Sequence, residues 1–136
     1  SLSAEYSQDA RSIGEELQAI LERFLDSNIY AELRNARILG REVPLLMPWN
    51  GQIMEGVIDL IYERNGLLYL ADYKTDSVAA KDLRFGAERY RRQAEIYSEA
   101  ARRSLKREVA AFKLIFLRLG ETVEVDINPE KELWLF

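Results

Sequence analysis

Three residues near the middle of the chain have the types and spacing for metal-assisted hydrolysis: Asp59, Asp72 and Lys74. The first closes Gly56-Val-Ile-Asp59, and the other two lie in Asp72-Tyr73-Lys74. Between them stands Asn65-Gly66, the strongest short-range signal for a two-residue hairpin turn. If that turn is type I′, Arg64 pairs with Leu67, Ile61 with Leu70, Leu60 with Ala71, and Asp59 stands opposite Asp72. Opposed Cβ atoms in such a pair are about 4.5–5.5 Å apart, and like charges there are destabilising. A hard divalent cation relieves the clash, because Mg²⁺ takes carboxylate and carbonyl oxygens. Lys74 lies two residues past Asp72 and points to the same face. An ammonium beside two carboxylates and a metal can polarise a water or stabilise developing negative charge. The alternative is a pair of ordinary strand-end carboxylates kept apart by a slipped register. Lys74 is then a simple ion-pair partner of Asp72, worth little at a surface.

A sheet and its covering helices must hold such a group. Ile13, Leu17, Ile20, Leu21, Phe24 and Leu25 recur at helical spacing and predict an amphipathic helix over 9–26. Glu16 falls on that stripe and is expected to border the core and reach solvent. Ser27-Asn28 interrupts the pattern, and Ile29 to Ala36 predicts a second short helix ending near Gly40. A first strand is expected from Val43 to Trp49, with Pro44 suited to an edge or strand start. After the turn at Asn50-Gly51 come strands Ile53–Glu63 and Leu67–Lys74. Residues 77–80 link these to a helix of roughly 81–105, whose apolar stripe is Tyr90, Ala94, Tyr97 and Ala101. Val109 to Leu117 reads as a strand buried on both faces, and Thr122 to Ile127 as an outer strand. The apolar ending Trp134-Leu135-Phe136 is expected to pack on a neighbouring domain of a longer parent chain. The order predicts an α/β sandwich around a mixed central β-sheet flanked by helices, and one domain over 1–136.

Gln93 lies three residues from Tyr90 and four from Tyr97. An inward amide needs partners, since leaving it unpaired costs about 1–3 kcal/mol; a site edge or a phosphate supplies them, and the alternative is an amide at the margin in water. The net charge of −4 hides an uneven distribution. Residues 81–107 carry nine basic side chains against four acidic, a local charge of +5. Lys81, Arg89 and Arg92 are the candidate contacts to a nucleic-acid backbone, with a salt-bridged, solvated face as the alternative. There is no Cys, hence no disulfide framework. No apolar run approaches the ~20 residues of a membrane helix and no signal-peptide pattern opens the chain, so a cytoplasmic location is expected.

Asp59 followed after a hairpin by Asp72-Tyr73-Lys74 resembles the catalytic core of the PD-(D/E)xK nuclease superfamily. The surroundings resemble more specifically the RecB/AddA-type nuclease domain that ends certain UvrD/Rep-like helicase–nucleases. The matching pieces are Arg41-Glu42-Val43-Pro44, Gly56-Val57-Ile58-Asp59, Asp72 to Asp76, and Gln93 with Tyr97. The resemblance implies a restriction-endonuclease-like fold and a metal-dependent DNA exonuclease domain acting in double-strand break repair. It implies Mg²⁺, or Mn²⁺ in its place, held by Asp59, Asp72 and the backbone carbonyl of Tyr73, with Lys74 as base helper or charge stabiliser. Glu42 is implied as a further acid of the site, its alternative being a solvent-facing strand residue. Gln93 and Tyr97 are implied to flank the site. The implied partners are DNA, the helicase domains of the parent chain and a partner subunit.

Two departures stand out. Ile58 occupies the position of the family's Pro, and the chain has no His, whereas the resemblance implies a metal-binding His on an early helix. Either the chain begins after that helix, as a C-terminal fragment of a larger helicase–nuclease that cleaves poorly alone, or the site has lost a ligand. The rival functions are a catalytically inactive DNA-binding or subunit-scaffolding module of the same fold, and a protein-interaction domain with an accidental acid pair.

Overall fold

The turn at Asn65-Gly66 forms with both residues at positive φ, 53° and 79°, the type I′ geometry that matches strand twist. In the computed structural model, which describes residues 2–75 and 87–127, this turn joins β2 (Gln52–Arg64) to β3 (Leu67–Lys74). The register is the expected one: Arg64 faces Leu67, Ile61 faces Leu70, and Leu60 faces Ala71. Ahead of the hairpin come α1 (Leu2–Leu25), α2 (Asn28–Arg34) and β1 (Arg37–Trp49). Behind it come α3 (Arg91–Leu105), β4 (Val109–Phe116) and β5 (Glu121–Val125). The five strands are ordered β1-β2-β3-β4-β5. All neighbours are antiparallel except β3 and β4, which run parallel; the chain between them, which includes α3, makes the crossover that parallel strands need. This is the expected mixed sheet.

Two cores sandwich the sheet. Under α3 lie Leu68, Leu70, Phe112, Leu114 and Phe116, packed against Ala94 and Tyr97. On the opposite face Leu60, Tyr62, Ala71 and Ile115 pack with Ile29 of α2 and with Phe24 and Leu33. Strand β4 is buried continuously from Ala111 to Phe116, as its β-rich run predicts, even at Lys113. Full burial of side chains such as these contributes about 1.5–3 kcal/mol each.

Several boundaries differ from the sequence reading. The first strand begins at Arg37 rather than Val43, and α2 ends at Arg34, so Gly40 lies inside β1 beside a register shift between Ile38 and Gly40. Cross-strand pairing with β2, which propensity cannot register, extends this strand. Pro44 sits on β1, an edge strand, where no missing ladder bond matters. Ser27 ends α1 and starts α2: its Oγ accepts the Tyr30 N–H at 3.3 Å and donates to the Phe24 carbonyl at 2.6 Å. Of the expected helix from 81, α3 begins at Arg91 and residues 81–86 lie outside the described residues. So do the expected link over 77–80 and the apolar ending Trp134-Leu135-Phe136. A backbone of φ −101° and ψ 0° at Tyr90, in the turn Arg89-Tyr90, separates α3 from the helical residues Ala87-Glu88.

The greater departure concerns α1. Of its apolar stripe, Ile13, Leu17, Leu21 and Leu25 are 57%, 62%, 55% and 45% exposed. The helix is held mainly at its C-terminal end, where Phe24 meets Tyr30 and Tyr73 at ring separations of 5.4 and 6.1 Å. Periodicity shows that an apolar face exists, not what covers it. Among the described residues no helix is long and apolar enough to cross a membrane.

Polar residues fasten α2 to the sheet. The carboxylate of Glu32 accepts hydrogen bonds from Tyr62 Oη (2.6 Å), Lys113 Nζ (2.7 Å) and Arg64 (2.7 Å). Lys113 lies 8% exposed on β4, above the Tyr69 ring, and Tyr69 stacks on Tyr62 at 5.1 Å. Burial opposes the charge on Glu32, but the hydrogen bonds from Lys113 and Tyr62 and the charges of Lys113 and Arg64 outweigh it and hold the carboxyl below its usual range. A depressed carboxyl contributes stability that is present above its unfolded pKa and is lost as pH falls through the folded one. Glu32→Gln is therefore expected to lower stability by about 1–3 kcal/mol at pH 7 in urea denaturation, because it leaves the Lys113 ammonium with only the exposed Glu124 carboxylate, 3.7 Å away. The gap between variant and wild type should narrow below about pH 4; a gap independent of pH would show that the Glu32 charge contributes nothing.

Candidate active site

The ladder between β2 and β3 stops at Leu60–Ala71, one step short of Asp59 and Asp72. Instead of exchanging main-chain bonds, the two aspartates cross over to each other's strand. The Asp59 N–H donates to Asp72 Oδ1 at 3.2 Å, and the Tyr73 N–H donates to Asp59 Oδ2 at 2.9 Å. The strand also changes face here: Ile58 packs under α3, while Leu60, of the same parity, packs on the α2 side. Beyond this point β2 continues with β1 alone, and the aspartates sit in the opening where β2 leaves β3. On the other side Asp72, Tyr73 and Lys74 remain paired to Leu114, Ile115 and Phe116 of β4.

Asp72 is 4% exposed. Burial pushes its carboxyl above the usual range and the Asp59 charge adds to the push; the Asp59 amide and the Lys74 ammonium pull the other way without cancelling it. Lys74 Nζ lies 3.7 Å from Asp72 Oδ2, with 15% of its side chain exposed, on the same side of the strand as the sequence alternation predicts. Its ammonium also sits 4.1 Å from the centroid of the Tyr90 ring.

Glu42 is exposed on β1, with a positive φ of 49°. It falls between the pairs Arg41–Leu60 and Val43–Ile58, so its backbone stands level with Asp59 across the strand. Glu42, Asp59 and Asp72 thus form one row across β1, β2 and β3.

Gln93 donates from Nε2 to Tyr97 Oη at 3.1 Å. The partner expected for its amide is therefore its own neighbour one helical turn on. Tyr97 is 9% exposed and tilts against Phe112. Its hydroxyl occupies the space over Gly56 where a Cβ would sit, which explains a glycine in this strand three residues before Asp59. Gln93 and Tyr97 make no hydrogen bond to either aspartate among the described residues.

The basic segment is divided. Arg91 pairs with Glu88 and Glu95, Arg102 and Arg103 with Glu99, and Arg107 with Glu63. Arg89 lies 5.7 Å from the Tyr90 ring, and both Arg89 and Arg92 are exposed at the start of α3. Lys81 and Asp76 lie outside the described residues. Glu16 is 53% exposed and bonded to Arg118, whose Nε donates to the Thr75 carbonyl at 2.8 Å. Sequence reasoning missed this strut, the Glu32 network and the Tyr90–Lys74 contact. Each joins residues brought together only by tertiary packing, although Tyr90 was visible as a stripe residue three before Gln93.

The donor set is two carboxylates with adjoining carbonyls. Among the described residues no group of three or more His, Cys, Asp or Glu side chains forms a protein-only cage. Two carboxylates are what Mg²⁺, which keeps several waters, takes from a protein, so the residues present fit a hard divalent cation.

A family model described as the PD-(D/E)XK nuclease superfamily matches residues 2–133. The chain is 32% identical over 90% of its length to a protein of Bacillus velezensis whose name makes it one subunit of an ATP-dependent helicase/nuclease. It is 31% identical over 76% of its length to the protein of the same name from Staphylococcus epidermidis, and 28% over 76% to that from Bacillus cereus. It spans 11%, 10% and 10% of these relatives, respectively.

Gly56→Ala tests the packing of this wall. The added methyl meets the buried Tyr97 ring, so a loss of about 1–3 kcal/mol in stability is expected. Gly56→Ala combined with Tyr97→Leu should recover part of it; equal losses in both backgrounds would mean that Tyr97 is not what excludes a side chain at Gly56.

Proposed function

This chain belongs to the PD-(D/E)XK nuclease superfamily, and on that premise we propose that it is a divalent-metal-dependent deoxyribonuclease domain. The observation that carries the reading is the crossed pair Asp59–Asp72, with Lys74 held beside it. A buried carboxylate facing a second one is costly unless a cation compensates. Asp59, Asp72 and the backbone carbonyl of Tyr73 would hold that ion, Mg²⁺ or Mn²⁺, which supplies charge neutralisation at the scissile phosphate and a more acidic water.

The chain's own groups account for the rest. The Lys74 ammonium, facing the same side as Asp72, donates hydrogen bonds to the attacking water or to a non-bridging phosphate oxygen, where negative charge grows as the P–O bond breaks. Glu42, level with Asp59, is the third acid of the row and accepts from water there. Gln93 spends one N–H on Tyr97, leaving its second N–H and its carbonyl for the DNA backbone at the site edge. Arg89 and Arg92, and Lys81 before them, contact flanking phosphates; such contacts give affinity that falls with salt and carries no sequence preference.

The relatives' name joins helicase to nuclease. We therefore read this chain as the nuclease part of a cytoplasmic helicase–nuclease that trims DNA ends in break repair, set among helicase domains and a partner subunit.

Linear single- and double-stranded DNA should be cleaved with Mg²⁺ or Mn²⁺ and left intact with EDTA. Asp72→Ala should lose at least ~100-fold, and Lys74→Ala roughly 100- to 1,000-fold, in kcat. Mg²⁺ should raise the Tm of the wild type, as a ligand of the folded state does, and leave that of Asp72→Ala unchanged. Metal-independent DNA binding without cleavage would replace the nuclease with a scaffolding module.

A further inference from the structure

Lys74 has a second neighbour that the proposed chemistry does not use. Its ammonium lies 3.7 Å from the nearest Asp72 oxygen, longer than the ~2.7–2.9 Å of a direct charge-assisted hydrogen bond. The face of Tyr90 approaches it at 4.1 Å from the ring centroid, well inside the ~6 Å range of cation–π attraction. With 15% of the Lys74 side chain exposed, this contact is largely shielded from water, where such an attraction is strongest.

The ring is itself held in place. The Tyr90 N–H donates to the Ala87 carbonyl at 3.0 Å, and the Tyr90 carbonyl accepts the Ala94 N–H at 2.9 Å as the first turn of α3 closes. The side chain packs on the core under α3. Lysine is otherwise a flexible four-carbon stem with much rotamer freedom to lose, and a carboxylate beyond hydrogen-bond distance fixes no direction for its three N–H groups. The Tyr90 ring face and the Asp72 carboxylate, at 4.1 and 3.7 Å, together limit where the ammonium can stand.

We propose that Tyr90 is a positioning residue for Lys74: its ring face holds the ammonium against the Asp59–Asp72 site, so that α3 sets where the positive charge stands. The inference rests on the nuclease reading for its consequence in catalysis, but not for the contact itself.

The first readout needs no activity. In the whole chain, labelled with ¹³C-lysine and assigned through Lys74→Arg, the Lys74 ε-methylene protons should be shifted upfield by the ring current. Tyr90→Phe should keep the shift and Tyr90→Leu should abolish it. An unshifted wild-type resonance would overturn the proposal even if Tyr90→Leu failed to fold. The second readout is cleavage. Tyr90→Leu should lower kcat roughly tenfold, the scale of a desolvated cation–π contact, with KM for DNA changed less than about twofold. Tyr90→Phe should recover most of the rate, and Tyr90→Leu should add nothing in a Lys74→Ala background. Additive losses in that background would assign Tyr90 a role unrelated to Lys74 and refute the positioning. A wild type that shows the ring-current shift but does not cleave supports the positioning and counts against the nuclease reading alone.

Discussion

The structure turns on the crossed hydrogen bonds between Asp59 and Asp72. Where a regular ladder would have continued past Leu60–Ala71, each carboxylate takes a main-chain N–H from the other strand. Both strands are thereby satisfied without pairing, and β2 is released to follow β1. Two aspartates at this position are the means by which the sheet opens as well as the group that the opening presents. A buried backbone N–H left unpaired costs as much as a lost hydrogen bond, so a hydrocarbon side chain here would force the strands either to pair on or to expose their amides. Fold and candidate chemistry thus share two side chains.

The surrounding parts follow from that opening. β4 holds Asp72, Tyr73 and Lys74 from behind, with its buried run fixing the register. α3, packed across the same face, brings Tyr97 over Gly56 and Tyr90 over Lys74. On the far face, Glu32 ties α2 to β2 and β4 through Tyr62, Arg64 and Lys113. A charged hub beneath one face favours this placement of α2, since a shift would leave Lys113 with only the exposed Glu124 as its carboxylate partner. The rigidity of the site therefore comes from its neighbours, because two repelling carboxylates cannot supply it.

How much of this was legible depended on whether the signal was local. Asn65-Gly66 fixed the hairpin because a type I′ turn admits one register, and counting brings Asp59 next to Asp72, although the ladder itself ends one pair earlier, at Leu60–Ala71. The β-rich run of β4 and the alternation that puts Lys74 beside Asp72 are equally local. The extension of β1 back to Arg37, the positive φ of Glu42 and the exposure of Ile13, Leu17 and Leu21 were not legible. Each depends on what lies opposite, and periodicity carries no partner. The amide of Gln93 marks the boundary: its need for a partner was readable, but Tyr97, one turn away on the same helix, had been placed in the core stripe. Gly56 leaves that hydroxyl room to be both buried and bonded.

A chain of charged groups joins α1 to the sheet. The helix's exposed carboxylate, Glu16, is bonded to Arg118, and Arg118 holds the carbonyl of Thr75, the residue after Lys74. The Arg118 carbonyl in turn accepts the Arg23 guanidinium at 2.5 Å. The helix is therefore coupled to the end of β3 by a chain of charged groups, and Phe24 against Tyr73 adds an aromatic contact to the same strand. The carboxylates of Asp59 and Asp72 remain the oxygen donors of the opening, with the Lys74 ammonium beside Asp72, a pair of the kind Mg²⁺ takes from a protein while keeping several waters.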